Sequence, residues 1–99
     1  MTSERLIIHF LDYLRLKHRS EATIRNKKNS LKYLVHWLAD KNLSLVKARI
    51  KDMEEYASFI HNMKKPNGEA LSANCKYNYL KSVLLLFDFL KRKNLILSN

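Results

Sequence analysis

Apolar residues recur every three or four positions in four stretches of this chain, with short polar links between them. That period predicts four amphipathic helices. The first runs from about Ser3 to His18, with Ser3 as its cap. Leu6, Ile7, Phe10, Leu11 and Leu14 form its apolar stripe, and Arg5, Asp12 and Arg15 face out. Ile8 and Leu16 fall off the stripe. The second runs from a cap at Ser20 to about Ala39, with Asn42 as a stop. Ile24, Leu31, Leu34, Val35 and Leu38 share one of its sides. The link from Asp40 to Lys47 carries Leu43, Leu45 and Val46, which are expected to tuck under the bundle. The third helix spans about Ala48 to Met63, with Met53, Tyr56, Ala57 and Ile60 as its stripe and Ile50 and Phe59 flanking. The only proline and the only glycine fall between Lys64 and Leu71, the clearest loop in the chain. Ser72 caps the fourth helix, which runs to about Lys93 with Leu80, Val83, Phe87 and Leu90 on its core face. Its second half is apolar nearly all round. Leu84, Leu85, Leu86 and Phe89 cannot all point at one core, so the helix is either central or covered by another chain.

Composition agrees with this pattern. Ninety-nine residues make one domain, residues 1–99, and 46% hydrophobic content is enough for a core. One glycine and one proline favour long helices over many short strands, so the fold class is all-α, a four-helix bundle. Cys75 is the only cysteine, which excludes an internal disulfide and points to a reducing compartment. The start, MTSERLIIHF, lacks the features of a signal peptide. The apolar run from Val83 to Leu90 is too short to span a bilayer and contains Asp88. A cytoplasmic protein without membrane contact is expected.

Charge adds a function class. The chain holds 19 Lys and Arg against 9 Asp and Glu, a net charge of +10. From Arg15 to Lys32 there are seven cations and one anion, Glu21. Clustered positive charge of this kind is the footprint of a nucleic-acid binder. On the second helix, Arg25, Lys28, Asn29, Lys32 and His36 fall along one strip, away from the apolar side. Cations in such a row repel by a few tenths of a kcal/mol per pair. An anionic partner offsets that repulsion, and a solvated basic face is the plainer alternative. The third helix is acidic, with Asp52, Glu54 and Glu55, so binding is expected on the other side of the domain. Asn74, Tyr77, Asn78 and Lys81 line the face of the fourth helix opposite its apolar side.

The order of these features resembles the tyrosine recombinases, the phage-integrase family. Thr23-Ile24, Leu31, Leu34, Trp37 and Leu38 resemble the family's first conserved block. Leu71-Ser72, Leu80, Val83, Phe87 and Leu90 resemble the second, and Asp52 to Tyr56 is similar to the acidic helix between them. Leu95-Ile96 followed by Asn99 resembles the exit toward the catalytic domain. The resemblance implies an N-terminal core-binding domain with a SAM-like, orthogonal four-helix fold that clamps double-stranded DNA together with a separate catalytic domain. It implies DNA contacts from Thr23, Arg25, Lys28, Asn29 and Lys32 on the second helix. On the fourth it implies Asn74, Tyr77, Asn78 and Lys81. Three departures stand out. Lys27 occupies a position where the family often has an aromatic, and its amine must snorkel out of the bundle or turn toward DNA. Cys75 stands where a threonine is common. Asn78 and Leu84 replace frequent arginines.

Catalysis is not expected from this chain. The family cleaves DNA with a tyrosine, arginines, a lysine and a His-x-x-Arg pair, and no His-x-x-Arg occurs here. His9, His18, His36, His61 and Cys75 have no metal-ligand spacing, and a lone glycine rules out a glycine-rich phosphate loop. No catalytic residue, metal or cofactor is expected. Trp37 is expected at the edge of the core, with base stacking as the alternative. The rival class is a helical protein–protein interaction module without DNA binding. Its motive, self-association through Leu84, Leu85 and Phe89, would also serve a recombinase that works as a multimer. A small helix-turn-helix regulator ranks lower, because no tight glycine turn joins two short helices.

Overall fold

The computed structural model describes residues 2–93. They form four helices: α1 (Ser3–Leu16), α2 (Glu21–Asp40), α3 (Ile50–Asn62) and α4 (Ala73–Arg92). An isolated antiparallel bridge between Lys64 and Ala70 closes the loop before α4, and no strand occurs among the described residues. The chain is an all-α bundle. The expected exit residues Leu95, Ile96 and Asn99 lie outside the described residues.

The helix starts follow from side chains that accept orphan amides. Ser20 accepts from the Thr23 amide and Ser72 from the Cys75 amide, each at 3.1 Å. α1 departs from expectation by one residue. Thr2 is its cap, accepting from the Arg5 amide at 3.2 Å. Ser3 is freed for another task, and its Oγ accepts from the Leu45 amide at 3.1 Å. α3 starts two residues later than expected, because Asp52 accepts from the Arg49 amide at 2.9 Å and fixes the first turn there.

Two helix ends use left-handed residues other than glycine. His18 has φ 60° and Asn42 has φ 55°. At the end of α1, the Arg19 amide donates to the Leu14 carbonyl at 3.1 Å and the His18 amide to Arg15 at 3.0 Å. At the end of α2, Leu43 donates to Leu38 at 2.9 Å and Asn42 to Ala39 at 3.1 Å. Each pair of bonds is a Schellman motif, which satisfies the last carbonyls and turns the chain sharply.

α1, α2 and α4 pack against one another, and α3 packs on α4. The molecule measures 38 × 31 × 18 Å, about two helix diameters in its thinnest direction. Leu6, Phe10, Leu31, Leu34, Leu38, Leu45, Ile60, Leu86 and Leu90 are fully buried. Trp37 is buried too, its ring 5.3 Å from that of Tyr56, so it is a core residue and not a base-stacking platform.

Three core expectations need correction. Val46 is exposed, while Leu45 carries the burial of its link. On α4, Leu86 and Phe89 join Val83 and Leu90 in the core, while Leu80 and Phe87 are half-buried. The wide buried arc exists because α4 packs against all three other helices. Phe89 packs its ring 5.6 Å from Phe10 and 4.9 Å from Tyr13. It cannot serve a surface contact with a second chain, whereas Leu84 (71% exposed) and Leu85 (39%) remain open.

Candidate nucleic-acid interface

The polar strip of α2 stands in solvent as its helical phase requires. Arg25, Lys28, Asn29, Lys32 and His36 are all exposed. Thr23 is half-buried, and its hydroxyl accepts from the Ser20 hydroxyl at 2.9 Å. On α4, Asn74, Tyr77 and Lys81 are exposed and Asn78 is half-buried. The Lys81 ammonium lies over the Tyr77 ring, 5.6 Å from its centre. That cation–π contact holds a long side chain upright.

Ser30 is buried on α2, and Tyr33 stacks on Tyr79 of α4 with ring centres 5.1 Å apart. These residues mark the flank of α2 that meets α4. At 100° per residue, the middle of the Arg25–Lys32 strip lies roughly 120° round the helix from that flank. Lys27 projects instead from the apolar side of α2. It is half-buried, and burial holds its ammonium below the ordinary lysine range, with the nearby charges of Lys81 and then Arg19 acting in the same direction.

The charge in this region is not internally balanced. Among the described residues, ion pairs join Arg15 to Asp12 at 2.9 Å and to Glu21 at 3.8 Å, and Arg92 to Asp88. None involves Arg19, Arg25, Lys27, Lys28, Lys32 or Lys81. Glu21, the one anion in the basic segment, is turned toward α1. Asp52 is engaged at the start of α3.

Arg19 was legible in the sequence only as part of the charge count. It precedes the α2 cap, where helical periodicity gives no direction. Lys27 was conspicuous as a cation on an apolar side, but the sequence left its neighbour unnamed.

Elsewhere, a groove of about 430 Å³ runs between α3 and α4, lined by Ile50, Met53, Leu80, Leu84 and Phe87. Arg49, Glu54 and Lys91 also border it. Cys75 is a half-buried free thiol. Burial, with Cys75 and Tyr33 alongside, pushes the Tyr79 phenol above its ordinary range. No group of three or more His, Cys, Asp and Glu residues that could hold a metal occurs among the described residues. No helix among them is long and apolar enough to cross a membrane.

Comparisons with protein families, with curated proteins and with solved structures find no match to this chain.

Proposed function

We propose that this chain binds double-stranded DNA through its phosphate backbone, as the core-binding domain of a tyrosine recombinase. The observation that carries the reading is the set of six cations on and beside α2 and α4 with no carboxylate paired to them. Such charge is unfavourable to the isolated fold, and a polyanion offsets it. Arg25, Lys28 and Lys32 supply exposed phosphate contacts from α2. Lys81 supplies one from α4, beside the hydrogen-bonding side chains of Asn74, Tyr77 and Asn78. In this reading these residues hold the DNA, and cleavage is the work of a separate catalytic domain.

Four phosphate contacts give a slope of log K against log salt of about −3 to −4, and half a clamp gives a Kd in the non-specific range, roughly 10⁻⁴ to 10⁻⁶ M. Fluorescence anisotropy of a labelled duplex across a salt series measures both. Replacing Lys28 and Lys32 together by Glu abolishes binding while the circular dichroism spectrum stays unchanged. A folded double variant with wild-type affinity removes α2 from the interface.

The apolar groove favours a second reading, a protein–protein module whose partner is a second copy. Leu84 stands on the groove's border and is largely exposed, so a two-fold axis there seats each Leu84 against the other copy's groove. Sedimentation separates the readings. A salt-insensitive dimer that ignores duplex DNA supports the module, and a monomer that binds duplex supports the DNA reading.

A further inference from the structure

We propose that the segment after α4, residues 94–97, turns back and seats Leu95 and Leu97 in the apolar groove between α3 and α4. The proposal is independent of the DNA-binding reading. It gives the groove an occupant from the same chain.

The argument rests on a repeat in the fold. α2 and α4 are each 20 residues long, and each starts from a serine cap. With Ser20 laid on Ser72, the buried residues coincide in order: Ser30 with Ser82, Leu34 with Leu86, Trp37 with Phe89, and Leu38 with Leu90. The same register lays Lys41-Asn42-Leu43-Ser44-Leu45 on Lys93-Asn94-Leu95-Ile96-Leu97, with one difference, Ile96 for Ser44.

The first copy shows what this motif does. Lys41 closes α2 with φ −94° and ψ 2°, and Lys93 closes α4 with φ −91° and ψ 4°. After Lys41, Asn42 turns left-handed and the Leu43 amide donates to the Leu38 carbonyl. Leu45 then comes to rest fully buried, its amide donating to Ser3 Oγ at the start of α1. An asparagine at 94 suits the same turn, which puts the Leu95 amide on the Leu90 carbonyl.

The preceding helices match as well, and they fix the place. α1 packs on α2 as α3 packs on α4. With their last residues Leu16 and Asn62 aligned, Ile7, Phe10 and Leu14 fall on Met53, Tyr56 and Ile60. Ser3 then corresponds to Arg49. The counterpart of the Leu45 site therefore lies between the start of α3 and the end of α4. The groove runs there, bordered by Ala48, Arg49 and Ile50 on one side and by Phe87 and Lys91 on the other. Residues 94–97 carry no charge, and three of the four are apolar, so their burial in such a lining is favourable.

The test is NOE spectroscopy on the full chain with methyl-labelled leucine and methionine. A second sample mixes labelled with unlabelled protein. Docking gives cross-peaks from the Leu95 and Leu97 methyls to the Phe87 ring and the Met53 methyl within one molecule. Hydrogen exchange at the Leu95 amide slows by about fivefold or more, the worth of one backbone hydrogen bond. Leu97→Asp removes the cross-peaks, lowers the urea midpoint and raises the fluorescence of an added apolar dye, whereas Ser98→Asp leaves all three as in wild type. Absence of cross-peaks from Leu95 and Leu97 to the groove overturns the proposal. So does a Leu97→Asp chain with wild-type midpoint and dye fluorescence. Cross-peaks found only between labelled and unlabelled molecules assign the groove to a second copy and overturn it too. Duplex binding is measured separately, and its failure leaves this result standing.

Discussion

Tyr56 carries a buried hydroxyl with no hydrogen-bond partner among the described residues. Its ring is fully used, packed against Trp37 at 5.3 Å and stacked on Phe59 at 6.0 Å. Burial, and behind it Tyr33, pushes the phenol above its ordinary pKa of 10.0. An unpaired buried hydroxyl costs about 1 kcal/mol or more. Tyr56→Phe therefore raises stability by about 1 kcal/mol, seen as a higher urea midpoint at unchanged m. A fall in midpoint would show that the hydroxyl has a partner. The pH dependence has a definite sign. A phenol with a raised folded pKa contributes stability in full below the unfolded value, and that contribution is lost as pH rises beyond it. Wild type loses stability as pH climbs past 10.0, and Tyr56→Phe loses less over the same range, the remainder coming from Tyr79.

At the scale of elements, the junctions matter more than the helices they join. Ser3 ties α1 to the link before α3 by accepting from Leu45, 42 residues away. Ser3→Ala leaves that part-buried amide unpaired and lowers stability by about 1 kcal/mol in chemical denaturation. An unchanged midpoint would mean that water replaces the hydroxyl. His18 holds a left-handed conformation that glycine adopts without steric cost. His18→Gly keeps the Schellman turn and raises stability by about 0.5 to 1 kcal/mol, read as a higher thermal midpoint. Asn42 occupies the equivalent place at the end of α2, and asparagine is among the residues that tolerate it best. The stop at Asn42 could be read from the sequence for that reason. The same device at His18 could not, because histidine signals no turn.

For the molecule as a whole, two neighbouring apolar residues of α4 have opposite fates. Phe89 is 6% exposed and sits between α1 and α4; Leu84 is open to solvent. Phe89→Ala costs about 3 to 5 kcal/mol by leaving a cavity against Phe10 and Tyr13. Leu84→Ser changes stability by less than about 0.5 kcal/mol. If Leu84 forms a contact between copies, the serine variant sediments as a monomer at concentrations where wild type does not. Periodicity marked both residues as surplus to a single apolar stripe. Which one found a partner depends on α1 crossing that side of α4, and no local pattern carries that information.

What the sequence determined by itself was local. Apolar spacing set four helices, Ser20 and Ser72 set two of their starts, and the Arg25–Lys32 strip was bound to be exposed because its phase opposes Ile24, Leu31 and Leu34. Those features follow from bonds and periodicities within a few residues. The tertiary structure decided how the helices sit beside one another. It stacked Tyr33 on Tyr79, set Trp37 against Tyr56, and gave Ser3 to Leu45. Each of those outcomes depends on how two elements pack, and that packing is set by side chains far apart in the chain, such as Tyr33 against Tyr79 and Phe89 against Phe10.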